Sequence, residues 1–254
     1  MWNEPGRRLD QPRLYNELAY LWPIISPPGE YAGEAAEWRR IIKGKLGPAR
    51  HSILELGVGG GHILSHLTQA FQATAVDIST PMLELSRRLN PDVTHHQGDM
   101  RTVRMGILFD AVLIHDAIGH MLTEADLKAA MVTAKAHLRP GGILLIAPEW
   151  LREEFAGPTL FIWTRGNQDI KVTIQEYLYY PDHDDSQIES IYSYMIEEQG
   201  KVSIERDVHV NGLFSGSMWS ELFEQVGFSL ERVSLPGNEG GYGGNMFIGT
   251  LPTD

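Results

Sequence analysis

Three glycines at alternating positions close the segment Ile53-Leu54-Glu55-Leu56-Gly57-Val58-Gly59-Gly60-Gly61-His62. A main chain without Cβ atoms at 57, 59 and 61 turns sharply and approaches a ligand closely. Asp77 follows 20 residues after Gly57. At the end of a second strand, a carboxylate so placed accepts hydrogen bonds from both hydroxyls of a ribose. A Gly-rich turn alone is compatible with a purely structural role; strand, turn, helix, strand and acid in register point to a nucleoside site. The dinucleotide pattern G-x-G-x-x-G wants its third glycine where this chain has His62, and Glu55 is not part of that pattern. A nicotinamide oxidoreductase is therefore disfavoured.

Other residues carry weaker chemical signals. His120 follows a fourth strand on the ligand-binding edge, and an ordinary imidazole pKa near 6.5 suits proton acceptance at neutral pH. A surface or helix-capping role ahead of Thr123 is the alternative. His115 and Asp116 end the same strand, where backbone contacts to a cofactor are expected. His62 and His66 have the i, i+4 spacing of metal ligands, without an evident third partner. His95–His96 flank the end of a short strand, and Asp182-His183-Asp184-Asp185 reads as a solvated turn.

These groups need elements to hold them. Residues 12–47 read as helical, broken at Pro27-Pro28-Gly29, with an amphipathic stretch 31–46 that places Ala35, Trp38, Ile41, Ile42 and Leu46 on one face. Strand 51–56, helix 63–71, strand 73–77, helix 80–90, strand 93–96, strand 109–115, helix 123–138 and strand 142–148 follow. Thr80 before Pro81 reads as a helix start. Such alternation predicts βαβ units and a mostly parallel, doubly wound sheet. After Trp150 the pattern changes: 171–180, 187–197 and 202–210 are rich in Val, Ile and Tyr and read as antiparallel strands. Helix 217–226, ended by Gly227, and strands 229–235 and 245–251 return the chain to the main sheet. The expected fold is α/β, a seven-stranded Rossmann-like sheet with an antiparallel insertion after the fifth strand. The expected divisions are a helical cap 1–50, a core of 51–150 with 214–254, and a lid 151–213. The lid is rich in aromatic residues, Trp163, Tyr177, Tyr179, Tyr192 and Tyr194 among them. They either suit the sheet or wall a substrate pocket.

Composition narrows the partners. Across 254 residues, 33 acidic and 21 basic side chains give a net charge of −12, and the basic ones come in pairs rather than runs. Neither a phosphate backbone nor an anionic membrane surface is an expected partner. The absence of cysteine excludes disulfides, thiolate catalysis and Cys-based metal sites. The longest apolar run, 143–147, is too short to cross a bilayer, and residues 1–10 lack a secretory apolar segment, so a cytoplasmic protein is expected.

The string Glu55-x-Gly57-x-Gly59-x-Gly61 resembles motif I of the class I S-adenosylmethionine-dependent methyltransferases. Asp77 matches that family's ribose-binding acid, with Ile78 and Met82 just beyond it. Gly98-Asp99-Met100 resembles its adenine-reading loop, and Leu138-Arg139-Pro140-Gly141-Gly142 resembles its turn before the fifth strand. The resemblance covers about residues 51–149 and implies S-adenosylmethionine as cofactor and S-adenosylhomocysteine as product. The implied cofactor set is Glu55, Gly57, Gly59, Gly61, Asp77, Ile78, Met82, Asp99, Met100 and His115, with no metal. The segments 97–101, 118–121 and 148–150 further resemble N,N-dimethyltransferases of nucleotide-linked amino sugars. The antiparallel insertion looks like theirs and like that of glycine N-methyltransferase. Pro148-Glu149-Trp150 departs from that group's Glu-Pro-Trp order, and His209-Val210-Asn211 from its His-Arg. The resemblance implies a small-molecule acceptor with an amine nitrogen, an amino sugar or amino acid, and His120 and Tyr15 as the catalytic candidates. An O-methyltransferase or a non-catalytic binding protein are the alternatives, and a homo-oligomer stays open.

Overall fold

A computed structural model describes residues 12–182, 186–235 and 244–253. Its larger sheet has seven strands in the order β10-β11-β5-β4-β1-β2-β3. The parallel strands are β1 (Ser52–Leu56), β2 (Gln72–Asp77), β3 (Thr94–Gln97), β4 (Phe109–Ile114) and β5 (Leu138–Ile146). β10 (Ser229–Ser234) and β11 (Asn245–Thr250) complete it in antiparallel fashion. Apolar residues cover both faces. On one side Leu54, Val112, Ile114 and Leu144 pack against α5 (Glu124–Ala136) and α6 (Gly216–Val226) through Leu127, Met131, Trp219 and Phe223. On the other, Ile53, Ala75, Leu113 and Leu145 meet α2 (Ala32–Leu46), α3 (His62–Ser65) and α4 (Thr80–Leu89). A sheet buried on both faces explains the nearly unbroken apolar runs of β1, β4 and β5. Among the described residues, no helix is long and apolar enough to cross a membrane.

The second sheet is an antiparallel meander of β6 (Thr159–Gly166), β7 (Ile170–Tyr179), β8 (Gln187–Glu198) and β9 (Lys201–Gly212). Alternation gives it two unlike faces. Ile170, Val172, Ile174, Tyr194 and Ile196 pack on Leu14, Leu18, Leu21 and Ile25 of the N-terminal segment. That segment is a chain of short turns, Arg13–Tyr15, Ala19–Leu21, α1 (Trp22–Ile25) and Pro28–Tyr31, because the prolines at 12, 23, 27 and 28 interrupt any long helix. The opposite face leaves Leu160, Ile162, Tyr177, Ile191, Val202 and Ile204 exposed.

Several expectations need correcting. The helix expected over 63–71 is regular only over His62–Ser65; beyond it, i→i+3 bonds such as Leu67 N–H to the Leu64 carbonyl (2.9 Å) tighten the chain into turns that bury Leu64, Leu67 and Phe71. α4 does start at Thr80, with Ser79 before it as the cap, its hydroxyl accepting from the Met82 N–H at 3.2 Å. β5 starts at Leu138 because Phe109 pairs with Leu138 across an irregularity that Gly141, at φ 75°, absorbs. His95 and His96 lie within β3 rather than at its flank. β6 was not expected as a strand. Of the aromatic residues, Tyr177 stacks on Tyr179 and is 44% exposed on the outer face, so it does not wall an interior pocket. The turn expected at 182–185 lies largely outside the described residues.

Candidate functional site

The glycine turn crosses the end of β1 and is pinned to β2: the Gly57 and Val58 N–H groups both donate to the Val76 carbonyl, at 2.8 and 3.0 Å. Two glycines there do different work. At Gly57 (φ 78°) a Cβ would stand 2.3 Å from the Ala117 Cβ, so this position keeps the chain clear of the turn after β4. At Gly61 (φ 77°) a Cβ would meet the Ser86 hydroxyl at 2.3 Å, so that glycine lets α3 lie close against α4. Asp77 ends β2 beside the turn. Its Oδ2 accepts the Gly59 N–H at 2.7 Å and its Oδ1 the Ser79 N–H at 2.8 Å. Each oxygen keeps a lone pair for a further donor. Burial raises the Asp77 pKa, and the three backbone N–H groups of 59, 78 and 79 oppose that rise.

Ile78 is exposed at the mouth, and Met82 and Met100 are buried beneath it. The Asp99 carboxylate is engaged by Arg101, which donates its own N–H at 2.8 Å and its guanidinium at 2.6 Å, and reaches on to Asp126 at 2.9 Å. Hydrogen bonding to Arg101 holds the Asp99 carboxyl below its usual range.

A partly buried ionic group lies at the ends of β1 and β4. His115 Nε2 meets Glu34 of α2 at 2.6 Å, and its Nδ1 meets Asp116 at 3.2 Å. Burial opposes the imidazolium, but Asp116, Glu34 and Glu55 together raise its pKa to about 10. Glu55, 3% exposed, is pushed up to about 8 by burial; His115 opposes the rise, and Asp77 and Glu34 add to it. Its Oε2 is buried with no hydrogen-bond partner among the described residues. The role expected of His115 was a backbone contact; its side chain is what joins α2 to the sheet.

Above this lies a polar cleft between the large sheet and the inner face of the small one. Tyr15 packs edge-on against His120, ring centroids 5.3 Å apart, and lies 5.3 Å from His209 of β9. Its carbonyl accepts from the Ser79 hydroxyl, linking the N-terminal segment to the Asp77 loop. Burial lowers His120 to a pKa of about 4, with His209 adding to the effect. Asp207 accepts the Arg13 and Leu14 N–H groups at 3.0 and 2.8 Å and pairs with His209 at 3.0 Å. Glu176 of β7 is buried and accepts from Ser190 and Tyr192, both at 2.7 Å. Glu149, Gly119, Trp150 and Asn211 line one recess of the cleft. The structure thus brings Tyr15, Glu55, Asp77, His115 and His120 to one edge. It adds Glu34 and Glu176, whose sequence positions carry no spacing signal, and Asp116, Glu149, Tyr192 and His209, which the sequence offered only as a strand end, as motif departures and as a lid aromatic. His62 stacks on Trp22 and His66 bonds the Pro28 carbonyl at 2.8 Å.

The residues present fit an adenosine-type cofactor with a charged amino-acid end. A turn without Cβ atoms, a ribose-type carboxylate and an orphaned carboxylate oxygen on Glu55 are the features such a ligand needs. The sheet order is that of a Rossmann-like α/β fold, and residues 53–142 match the family described as "Methyltransferase domain". Over 129 residues the chain is 37% identical to dTDP-3-amino-3,4,6-trideoxy-alpha-D-glucopyranose N,N-dimethyltransferase of Streptomyces venezuelae. That match covers 50% of this chain and 54% of the relative, so about half of the relative's length is spanned. It is 29% identical over 237 residues, 92% of this chain and 90% of the other, to dTDP-3-amino-3,6-dideoxy-alpha-D-glucopyranose N,N-dimethyltransferase of Streptomyces fradiae. Among solved structures it is similar to SAM-bound CalS10, an amino pentose methyltransferase from Micromonospora echinaspora. There the TM-score is 0.76 and the identity 25%, over 87% of this chain and 91% of that one.

Proposed function

We propose that this protein is an S-adenosylmethionine-dependent methyltransferase acting on the amine nitrogen of a nucleotide-linked amino sugar. The observation that carries this reading is the edge itself: the glycine turn, Asp77 and the orphaned Glu55 oxygen stand at the strand ends, with Tyr15 packed edge-on against His120 and a recess lined by Glu149, Trp150 and Asn211. Similarity to two dTDP-aminosugar N,N-dimethyltransferases supports the acceptor class.

When bound, the cofactor supplies an electrophilic methyl group on a sulfonium. The protein's part is to hold the nucleophile in line with it, an arrangement that can lower a barrier by roughly 7–11 kcal/mol. In this reading Asp77 takes the ribose hydroxyls, Gly57, Gly59 and Gly61 let the turn approach, and Ile78, Met82 and Met100 flank the base. Asp99 must share its carboxylate with Arg101 or leave the adenine to the neighbouring backbone. Glu55, with His115 behind it, faces the amino-acid end. Residues 13–31, packed on the inner face of the antiparallel sheet, cover the site together with that sheet and exclude water. His120, neutral at pH 7 with its pKa near 4, orients the amine by accepting an N–H and is a weak base towards an alkylammonium. Tyr15 closes the same wall.

Formation of S-adenosylhomocysteine tests the reading. Turnover with dTDP-3-amino-3,6-dideoxyglucose and not with its 3-hydroxy counterpart is expected. Methylation of the hydroxy sugar alone would replace the reading with O-methyl transfer, and cofactor binding without turnover on either sugar would favour a non-catalytic role.

A further inference from the structure

The two faces of the small sheet are unequally covered. The inner face carries the N-terminal segment and borders the cleft. Half of the large apolar side chains left exposed among the described residues, six of twelve, fall on the outer one. Val202 and Ile204 of β9 are 69% and 63% exposed, and Leu160 and Ile162 of β6 are 59% and 58% exposed. Single exposed apolar residues are ordinary on a protein surface, but these are contiguous. The register puts Leu160, Tyr177, Ile191 and Val208 in one row across all four strands, each directly beside the next. β7 and β8 each turn five residues outward, every second one from 171 to 179 and from 189 to 197. With strands about 4.8 Å apart and rows about 6.7 Å apart, such a face measures roughly 600 Å2. Two such faces bury about 1,200 Å2, above the roughly 1,000 Å2 that a specific interface needs.

We propose that this face is the dimer interface of the protein, its occupant a second copy of the same sheet laid face to face. The charges on the face select both that partner and its orientation. Lys171 stands opposite Glu197 across β7 and β8 and both are exposed, yet among the described residues neither makes an ion pair within the chain. A two-fold axis along the strands, between β7 and β8, sets each β7 over the partner's β8 and each row over its own copy. Lys171 then meets the partner's Glu197 twice over, Tyr177 the partner's Ile191, and Leu160 the partner's Val208. The crossing of aligned sheets, about 30°, keeps the two central strands together near that axis. A two-fold axis across the strands would instead reverse the rows and lay Glu197 over the partner's Glu189, and like charges disfavour it. Lys171 and Arg206 balance Glu189 and Glu197, so the face complements itself and gives an anionic membrane nothing to hold. Its reverse carries Glu176 and Tyr192, so the partner braces a wall of the cleft from behind. No ligand enters this inference, and it stands apart from the methyl-transfer reading.

Sedimentation velocity on the full chain at micromolar concentration tests the proposal. The particle should have twice the 28.5 kDa mass of one chain. Ile191→Lys puts a charge in the middle of the apolar row and should give a monomer with an unchanged circular dichroism spectrum. Lys171→Glu and Glu197→Lys should each raise the dimer dissociation constant at least tenfold by setting like charges together. The double variant Lys171→Glu with Glu197→Lys should return it to within threefold of the wild type. Both charge positions are exposed, so these variants decide the matter even where Ile191→Lys does not fold. A wild type that sediments as a single 28.5 kDa chain would overturn the proposal, as would a folded Ile191→Lys that stays dimeric. Single charge variants within twofold of the wild type, or a double variant no tighter than the singles, would overturn the two-fold arrangement along the strands.

Discussion

Asp77 is the residue on which the nucleoside reading turns, and its hydrogen bonds show why. Both carboxylate oxygens are already fixed by backbone donors, Gly59 at 2.7 Å and Ser79 at 2.8 Å, so the group is oriented before any ligand arrives. Asp77→Ala removes two oriented acceptors and should weaken S-adenosylmethionine binding by about 1–3 kcal/mol, the scale of hydrogen bonds to a charged group. Titration calorimetry reads this directly, and unchanged affinity would remove Asp77 from the site. His120 makes a second residue-scale prediction. With its pKa lowered to about 4, its ionisation should leave no limb near pH 6.5 in a kcat profile, and His120→Asn should retain the shape of that profile while lowering kcat. A limb near 6.5 that vanishes in the variant would restore His120 as the proton acceptor. The glycines and Asp77 were legible in the sequence because one strand, one turn and the next strand fix their spacing. Glu34 and Glu176 were not: each comes from a different element, and only the folded chain brings them to the site.

At the scale of elements, the cleft depends on how the N-terminal segment is held against the small sheet. Asp207 of β9 carries much of that attachment, accepting the Arg13 and Leu14 N–H groups and pairing with His209. The carboxylate is 5% exposed, and its pKa is lowered: burial opposes the charge, while the bonds to His209 and the two backbone donors outweigh it. Asp207→Ala leaves those donors without their acceptor. It should cost about 1.5–3 kcal/mol, lower Tm and raise the rate of proteolysis within residues 13–31 before that within 52–56. Equal protection of both segments would show that apolar packing of Leu14, Leu18 and Leu21 alone holds the segment. The parallel strands and α2 were legible because apolar periodicity announces them. β6 was less so, since it is an edge strand with every second residue exposed and Gly157-Pro158 before it. The contracted α3 escaped notice because the burial of Leu64, Leu67 and Phe71 suits an α-helix and tighter turns equally.

For the whole molecule, the partly buried ionic group joining α2 to β1 and β4 sets how stability responds to pH. His115 has a folded pKa near 10 against about 6.5 unfolded, so its ion pairing stabilises the fold fully below pH 6.5 and is lost as pH rises through 10. Glu55 has a folded pKa near 8 against about 4.5 unfolded. Its burial is therefore without cost below pH 4.5, destabilises increasingly between pH 4.5 and pH 8, and adds no further loss above 8. The two effects act in the same direction above neutrality. Unliganded protein should lose Tm steadily between pH 7 and pH 10, by about 2–4 °C for each kcal/mol of stability lost. His115→Asn should melt lower than the wild type at pH 7, because Glu34 and Asp116 lose their counter-charge, and should fall less steeply towards pH 10. Melting curves at pH 7, 8, 9 and 10 decide the matter. Parallel pH dependence in the two proteins would mean that this histidine is neutral in the folded state and that α2 is held to the sheet by Trp38, Ile41 and Ile42 instead.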